Sequence, residues 1–213
     1  MWNFVKPSEP GPLLDAIPEK TFDEHRFLPY WAELWPATEI LFDAVAKRAF
    51  PRTARICDLG AGLGTTASLL ASRGLYTVAF DFGEYACRFC RHNILLHNGI
   101  PRVVCGDWHH PPFSKPFDVI AGGDILYEPQ CLEPVVAFVR ACAAPCADVL
   151  IADPCRPQWE TFKREMTGNG FSIQSIRSRE LNNGKTTVEI LHARRVNDPT
   201  RQSGALRSDD GRA

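Results

Sequence analysis

Nowhere does the 213-residue chain run on in apolar residues toward the ~18 that a membrane-crossing helix needs. Its start, Met1-Trp2-Asn3-Phe4-Val5-Lys6-Pro7, lacks a charged opening followed by an apolar stretch, so no secretory leader is expected. The cytosol is the expected compartment. Neither sign of charge is in excess: 24 Lys and Arg against 25 Asp and Glu leave a formal net charge of -1. No overall basic field therefore draws the surface to nucleic acid or lipid. Metal-binding knuckles are missing too. Cys87 and Cys90 form a C-x-x-C, and Cys142 is near Cys146, but neither pair has a flanking Gly or a matching second pair. No metal is expected. Six other or overlapping positions (Cys57, Cys87, Cys105, Cys131, Cys142, Cys155) fall in apolar or helical stretches, where a reduced thiol behaves as a small hydrophobe. What is present, 45% hydrophobic and 23% charged residues, suits one globular domain.

From Arg55 onward short apolar runs alternate with helix-patterned stretches. Strands are predicted over 54–59, 76–81, 103–106, 117–123 and 149–153, and helices over 63–73, 84–98, 129–143 and 158–169. Gly74, Gly99 and Gly170 stand at helix ends. Two alternating runs follow, 171–179 and 186–194, and Asn182-Asn183-Gly184-Lys185 between them reads as a hairpin turn. The pattern predicts an α/β fold: a mostly parallel sheet with right-handed crossovers, closed by a C-terminal antiparallel hairpin. Residues 1–35, rich in Pro and aromatics, are expected to cover the ligand face of a domain spanning 36–194. Residues 195–213 are expected to be a disordered tail.

The segment Asp58-Leu59-Gly60-Ala61-Gly62-Leu63-Gly64 follows a predicted strand and opens a helix. Glycines there permit positive φ and close approach of a ligand to the backbone. Gly60, Gly62 and Gly64 alone also suit a dehydrogenase, whose pyrophosphate would sit at the helix N-terminus. An acid beside that position repels a pyrophosphate. Asp58 instead suits a nucleoside with no phosphate and a positive charge, such as S-adenosylmethionine. About twenty residues on, Asp81 ends the second strand, where a carboxylate can accept from both ribose hydroxyls. A solvated strand-end Asp is the alternative reading.

The fourth strand runs into Gly123-Asp124-Ile125-Leu126-Tyr127. Here the chain resembles the D-x-x-Y group of class I protein methyltransferases. Tyr30-Trp31-Ala32-Glu33-Leu34-Trp35-Pro36 upstream and Asp153-Pro154-Cys155-Arg156-Pro157 downstream are similar to segments of the lysine methyltransferases of electron transfer flavoprotein β and their bacterial relatives. The resemblance spans about residues 28–160. It implies a Rossmann-like sheet of seven strands, S-adenosylmethionine as cofactor and a protein lysine as acceptor. It also implies that Asp107 and Trp108 meet the adenine, and that Trp35 contacts the cofactor or packs on the sheet. Asp124 and Tyr127 become the candidate catalytic pair, although Tyr127 also reads as a core tyrosine. Trp31, Glu33, Asp153 and Arg156 are expected to rim the substrate side, the last three being equally acceptable as surface or capping residues. Cys155 stands where the resembling pattern has Gly. His109 and His110 read as an exposed loop. A small-molecule amine remains an alternative acceptor, and an NAD-dependent oxidoreductase an alternative of another class. The fourth strand's end lacks the paired prolines of nucleic-acid amino methyltransferases.

Overall fold

A computed structural model describes residues 2–8, 29–181 and 186–196. The predicted turn at 182–185 and residues 197–213 of the expected tail lie outside the described residues. Helix α1 is Pro36–Ala46, α2 Thr65–Ser72, α3 Glu84–Leu96, α4 Leu132–Cys142 and α5 Trp159–Gly168. The strands are β1 Arg55–Leu59, β2 Tyr76–Asp81, β3 Val103–Cys105, β4 Phe117–Gly123, β5 Ala143–Asp153, β6 Phe171–Leu181 and β7 Thr186–Arg195. They form one sheet in the order β3-β2-β1-β4-β5-β7-β6. Strands β1 to β5 pair in parallel, whereas β7 is antiparallel to both β5 and β6. The expected fold class, including the closing hairpin, is the one observed.

The layers follow from strand alternation. On β1, Ile56 faces one side with Val119, Ala121, Leu150 and Ala152, and is covered by Leu41 and Val45 of α1 and Leu70 of α2. Cys57 and Leu59 face the other side with Ile120, Val149 and Ile151, against Phe138 and Val139 of α4 and Trp159, Phe162 and Met166 of α5. Central strands sandwiched this way lose polar positions, so β1, β2 and β4 read as near-continuous apolar runs. Burying a Leu, Ile or Phe side chain is worth about 1.5–3 kcal/mol, which makes these two layers the main source of stability.

Three details depart from the sequence reading. Helix α1 was not assigned, yet Pro36 stands in its first turn and Ala37, Ile40, Leu41 and Val45 bury one face. The stretch expected as one helix from Pro129 begins as a 3-10 turn, Pro129–Cys131, before α4. Strand β5 starts at Ala143, six residues early, because a bulge shifts its register between Phe117 and Val119. Cys146, at φ 61°, lies in that irregular stretch. Cysteine placement needs a correction as well. Cys57, Cys87, Cys131 and Cys142 are buried as expected, but Cys105 and Cys155 are exposed. Short strand β3 and the loop after β5 give those two no apolar cover. All eight thiols are free, and no metal-holding cluster occurs among the described residues. No helix among those residues is long and apolar enough to cross a membrane.

Candidate active site

Strand order reverses direction between β1 and β4, and a crevice opens beyond their carboxyl ends. A cavity of about 300 Å³ occupies it. Trp31, Glu33 and Trp35 from the N-terminal side, Gly60 and Gly62 from the glycine loop, and Asp81 and Trp108 from the β2 and β3 ends all line it. So do Asp124, Tyr127 and Arg156. Residues separated by more than a hundred positions thus share one wall.

The glycine loop is held by the end of β2. Gly60 and Ala61 donate their N–H groups to the Phe80 carbonyl at 2.8 and 3.2 Å. Gly62 donates to Asp81 Oδ2 at 2.8 Å, and Gly83 donates to Asp81 Oδ1 at 2.8 Å. Burial raises the Asp81 carboxyl, against the lowering by the Gly83 and Gly62 N–H groups. Gly60 sits at φ 64°, where a Cβ would come within 2.5 Å of Ile125 and 3.2 Å of Trp108. No larger residue fits this turn.

Four expected site residues are not on the wall. Asp58 is 3% exposed and accepts the Ala67 N–H of α2 at 2.8 Å, so it ties the helix start to β1 from beneath the loop. Burial pushes its carboxyl up to about 8. Gly64, at φ 76°, heads α2, and a Cβ there would meet Cys90 Sγ at 2.5 Å. The missing side chain lets α2 pack closely on α3. Asp107 takes the His109 N–H at 2.9 Å and lies 2.8 Å from His109 Nδ1 and 3.3 Å from His110 Nδ1. Burial raises its carboxyl, but these bonds outweigh it and hold the group below the usual range. Turned to its own loop, Asp107 leaves the cavity wall to Trp108, whose Nε1 is buried with no hydrogen-bond partner among the described residues. Asp153, fully buried, accepts the Arg156 N–H at 2.7 Å and the Arg156 guanidinium at 3.0 Å. Asp153 thus holds the turn that leads into α5.

Arg156 also pairs with Asp124. Burial raises the Asp124 carboxyl, while the Arg156 guanidinium and the Ala37 N–H at the start of α1 lower it. Asp124 is therefore not a free base. Burial also drives the Tyr127 phenol well above its ordinary range, so it keeps its proton at neutral pH. Tyr30, not expected in the site, packs 5.0 Å from Tyr127 and donates its hydroxyl to Glu128 at 3.2 Å. Trp35 Nε1 donates to the Tyr30 carbonyl at 2.7 Å. The Tyr-Trp-x-x-x-Trp spacing was the available signal for this further aromatic side chain.

No family model matches the chain. A mouse (Mus musculus) protein, the histone-arginine methyltransferase METTL23, is 30% identical over 122 residues, covering 52% of this chain and 47% of its own length. The chain thus spans about half the length of that curated relative. The N-methyltransferase NodS from Bradyrhizobium japonicum WM9, solved with S-adenosyl-L-homocysteine, superposes with a TM-score of 0.64 at 13% identity, over 79% of this chain and 92% of its own. The [4+2]-cyclase SpnF superposes with a TM-score of 0.62 at 13% identity, over 76% and 82%. The fold is accordingly the Rossmann-like one of class I methyltransferases. A cyclase on the same scaffold shows that such a fold does not by itself name a reaction.

Proposed function

We propose that the chain is an S-adenosylmethionine-dependent N-methyltransferase whose acceptor is a protein lysine. One observation carries this reading: the glycine-loop backbone, the Asp81 carboxylate and an aromatic wall converge on a single cavity. The residues present fit the cofactor. Asp81 would hold the ribose hydroxyls and Trp108 would cover the adenine, with its unpartnered Nε1 on hand. Gly60 and Gly62 would let the nucleoside lie against backbone. When bound, S-adenosylmethionine would supply an electrophilic methyl group on its sulfonium. Residues 1–35 as a cover for this face and 36–194 as the catalytic domain belong to the same proposal.

The rest is asked of the chain's own side chains. A lysine has an ordinary pKa near 10.4, so neutralising it at pH 7 costs about 4.6 kcal/mol. Tyr30, Trp31, Trp35 and Tyr127 exclude water from the acceptor, which lowers that cost, and they can hold a methylated cation over their faces. Asp124, locked by Arg156, orients the acceptor nitrogen rather than removing its proton. Tyr127 contributes as wall and hydrogen-bond donor.

A second reading, an arginine acceptor, is favoured by the likeness to METTL23. A guanidinium stays charged and calls for carboxylates in the site. Asp124 and Asp153 already hold the chain's own Arg156, which supports lysine over arginine. Incubating the protein with methyl-labelled cofactor and cell extract tests both. Methyl-lysine in a protein band is expected. Methyl-arginine moves the assignment to the second reading, and label in small molecules alone overturns both. In calorimetry Asp81→Ala abolishes cofactor binding; an unchanged affinity counts against the cofactor site.

A further inference from the structure

One fully buried amide joins three parts of the chain. Asn93 of α3 is 0% exposed. Its Oδ1 accepts the Val5 N–H at 2.8 Å, and its Nδ2 donates to the Val5 carbonyl at 2.9 Å and to the Leu63 carbonyl at 2.9 Å. Leu63 lies inside the glycine loop, next to the Gly62 whose N–H meets Asp81. A second tie reaches the same loop from its other flank. Lys6 Nζ pairs with Glu33 at 2.7 Å, just after the turn Tyr30–Ala32, and the Trp31 carbonyl of that turn passes 3.5 Å from where a Gly62 Cβ would stand. Ring contacts complete the hold. Trp2 and Phe4 pack at 4.4 and 5.0 Å from His97 of the α3 end, and at 5.3 and 6.2 Å from Phe42 of α1. None of residues 2–8 lines the cavity.

We propose that residues 2–8 are a strap that sets the geometry of the glycine loop, with Asn93 as the positioning residue that couples the two. The coupling has a physical cause. An asparagine amide offers two donors and one accepting oxygen, and here both ends serve Val5 while one donor also serves Leu63. If Val5 leaves, a carbonyl oxygen and an N–H are stranded in a dry site, and the amide turns to seek other partners. The Leu63 bond loosens with it, and with Leu63 goes the aim of the neighbouring Gly62 N–H. Coupling between two places is reciprocal. A ligand that orders the loop therefore tightens the strap by the same factor, although it touches none of the strap's residues.

The geometric claim stands on its own, whereas the ligand arm of its test rests on the proposed function. Hydrogen exchange is measured on the full chain with and without S-adenosylhomocysteine. Exchange of the Val5 amide slows by roughly tenfold when the ligand is present. Val5→Pro removes the N–H that Asn93 accepts, at a half-exposed position where little packing is lost. In this variant the amides of residues 62–66 exchange faster and the ligand binds roughly tenfold more weakly, while the melting temperature falls by only a few degrees. Val5→Ala keeps the N–H and behaves as the original chain. Unaltered exchange at 62–66 in Val5→Pro overturns the proposal, and so does an equal change in Val5→Ala. If the ligand binds to neither chain while exchange at 62–66 still responds to Val5→Pro, the cofactor assignment fails and the strap stands.

Discussion

Cys155 occupies an exposed position with its backbone at φ 58°. The left-handed region brings a Cβ against the neighbouring carbonyl and costs about 1–2 kcal/mol for residues other than glycine. Glycine would be free of that cost, yet the loop holds this left-handed turn with a cysteine in it. Asp153 is the reason: it grips both the backbone and the side chain of Arg156, one residue on. Cys155→Gly should therefore raise the unfolding free energy by somewhat under 1 kcal/mol, since glycine's greater freedom in the unfolded chain offsets part of the relief. Urea unfolding measures this directly. A loss of 1 kcal/mol or more, read the same way, would show that the thiol makes a contact worth more than the strain.

At the scale of elements, helix α1 decides where the cavity's rim stands. The Ala37 N–H at its N-terminus lowers the Asp124 carboxyl, and Thr38 Oγ1 donates to the Gly123 carbonyl at 3.3 Å. A Cβ at Gly123 would come within 2.9 Å of Thr38 Cα, which is backbone and cannot swing aside. Gly123→Ala must push α1 from β4 and should cost roughly 1–3 kcal/mol in urea unfolding, with a matching loss of cofactor affinity. Stability and affinity both at the original values would show that α1 yields freely. The sequence made the parallel strands legible because burial on both faces turns β1, β2 and β4 into apolar runs between glycine-closed helices. Helix α1 was not legible because it precedes β1 and so falls outside the strand–helix alternation that marks the others. The glycine loop and Asp81 were legible by spacing. The true place of Asp58 and Asp107 was not, because one residue of alternation or one side-chain rotation decides whether a carboxylate faces a cavity, a helix start or its own loop. No pattern of residue types records that choice.

Over the whole molecule, the carboxyl ends of the central strands collect buried acids. Asp58, Asp81, Asp124 and Asp153 all have carboxyls raised by burial. A carboxyl whose folded pKa exceeds its unfolded one binds more protons folded than unfolded between the two values. Stability then falls as pH rises through that window and levels off above it. This is opposite in sign to the familiar salt-bridged aspartate. For Asp58 the window runs from the ordinary 3.8 to about 8, so at neutral pH its ionisation is resisted by the fold. Asp58→Asn retains an oxygen for the Ala67 N–H while removing the titration. The variant should be the more stable chain at pH 8, and its advantage over the original should shrink steadily toward pH 4. Thermal unfolding of both chains across that range tests it; Asp124 and Asp153 cancel in the difference, and Asp81, whose charge adds to the rise at Asp58, cancels only in part. An advantage that does not change with pH would place the Asp58 carboxyl in a wetter setting than its 3% exposure describes. The ligand adds a further term. A cationic group bound near these acids favours their charged forms, so S-adenosylmethionine should raise the melting temperature more at pH 8 than at pH 5. A cofactor without that charge would show no such slope.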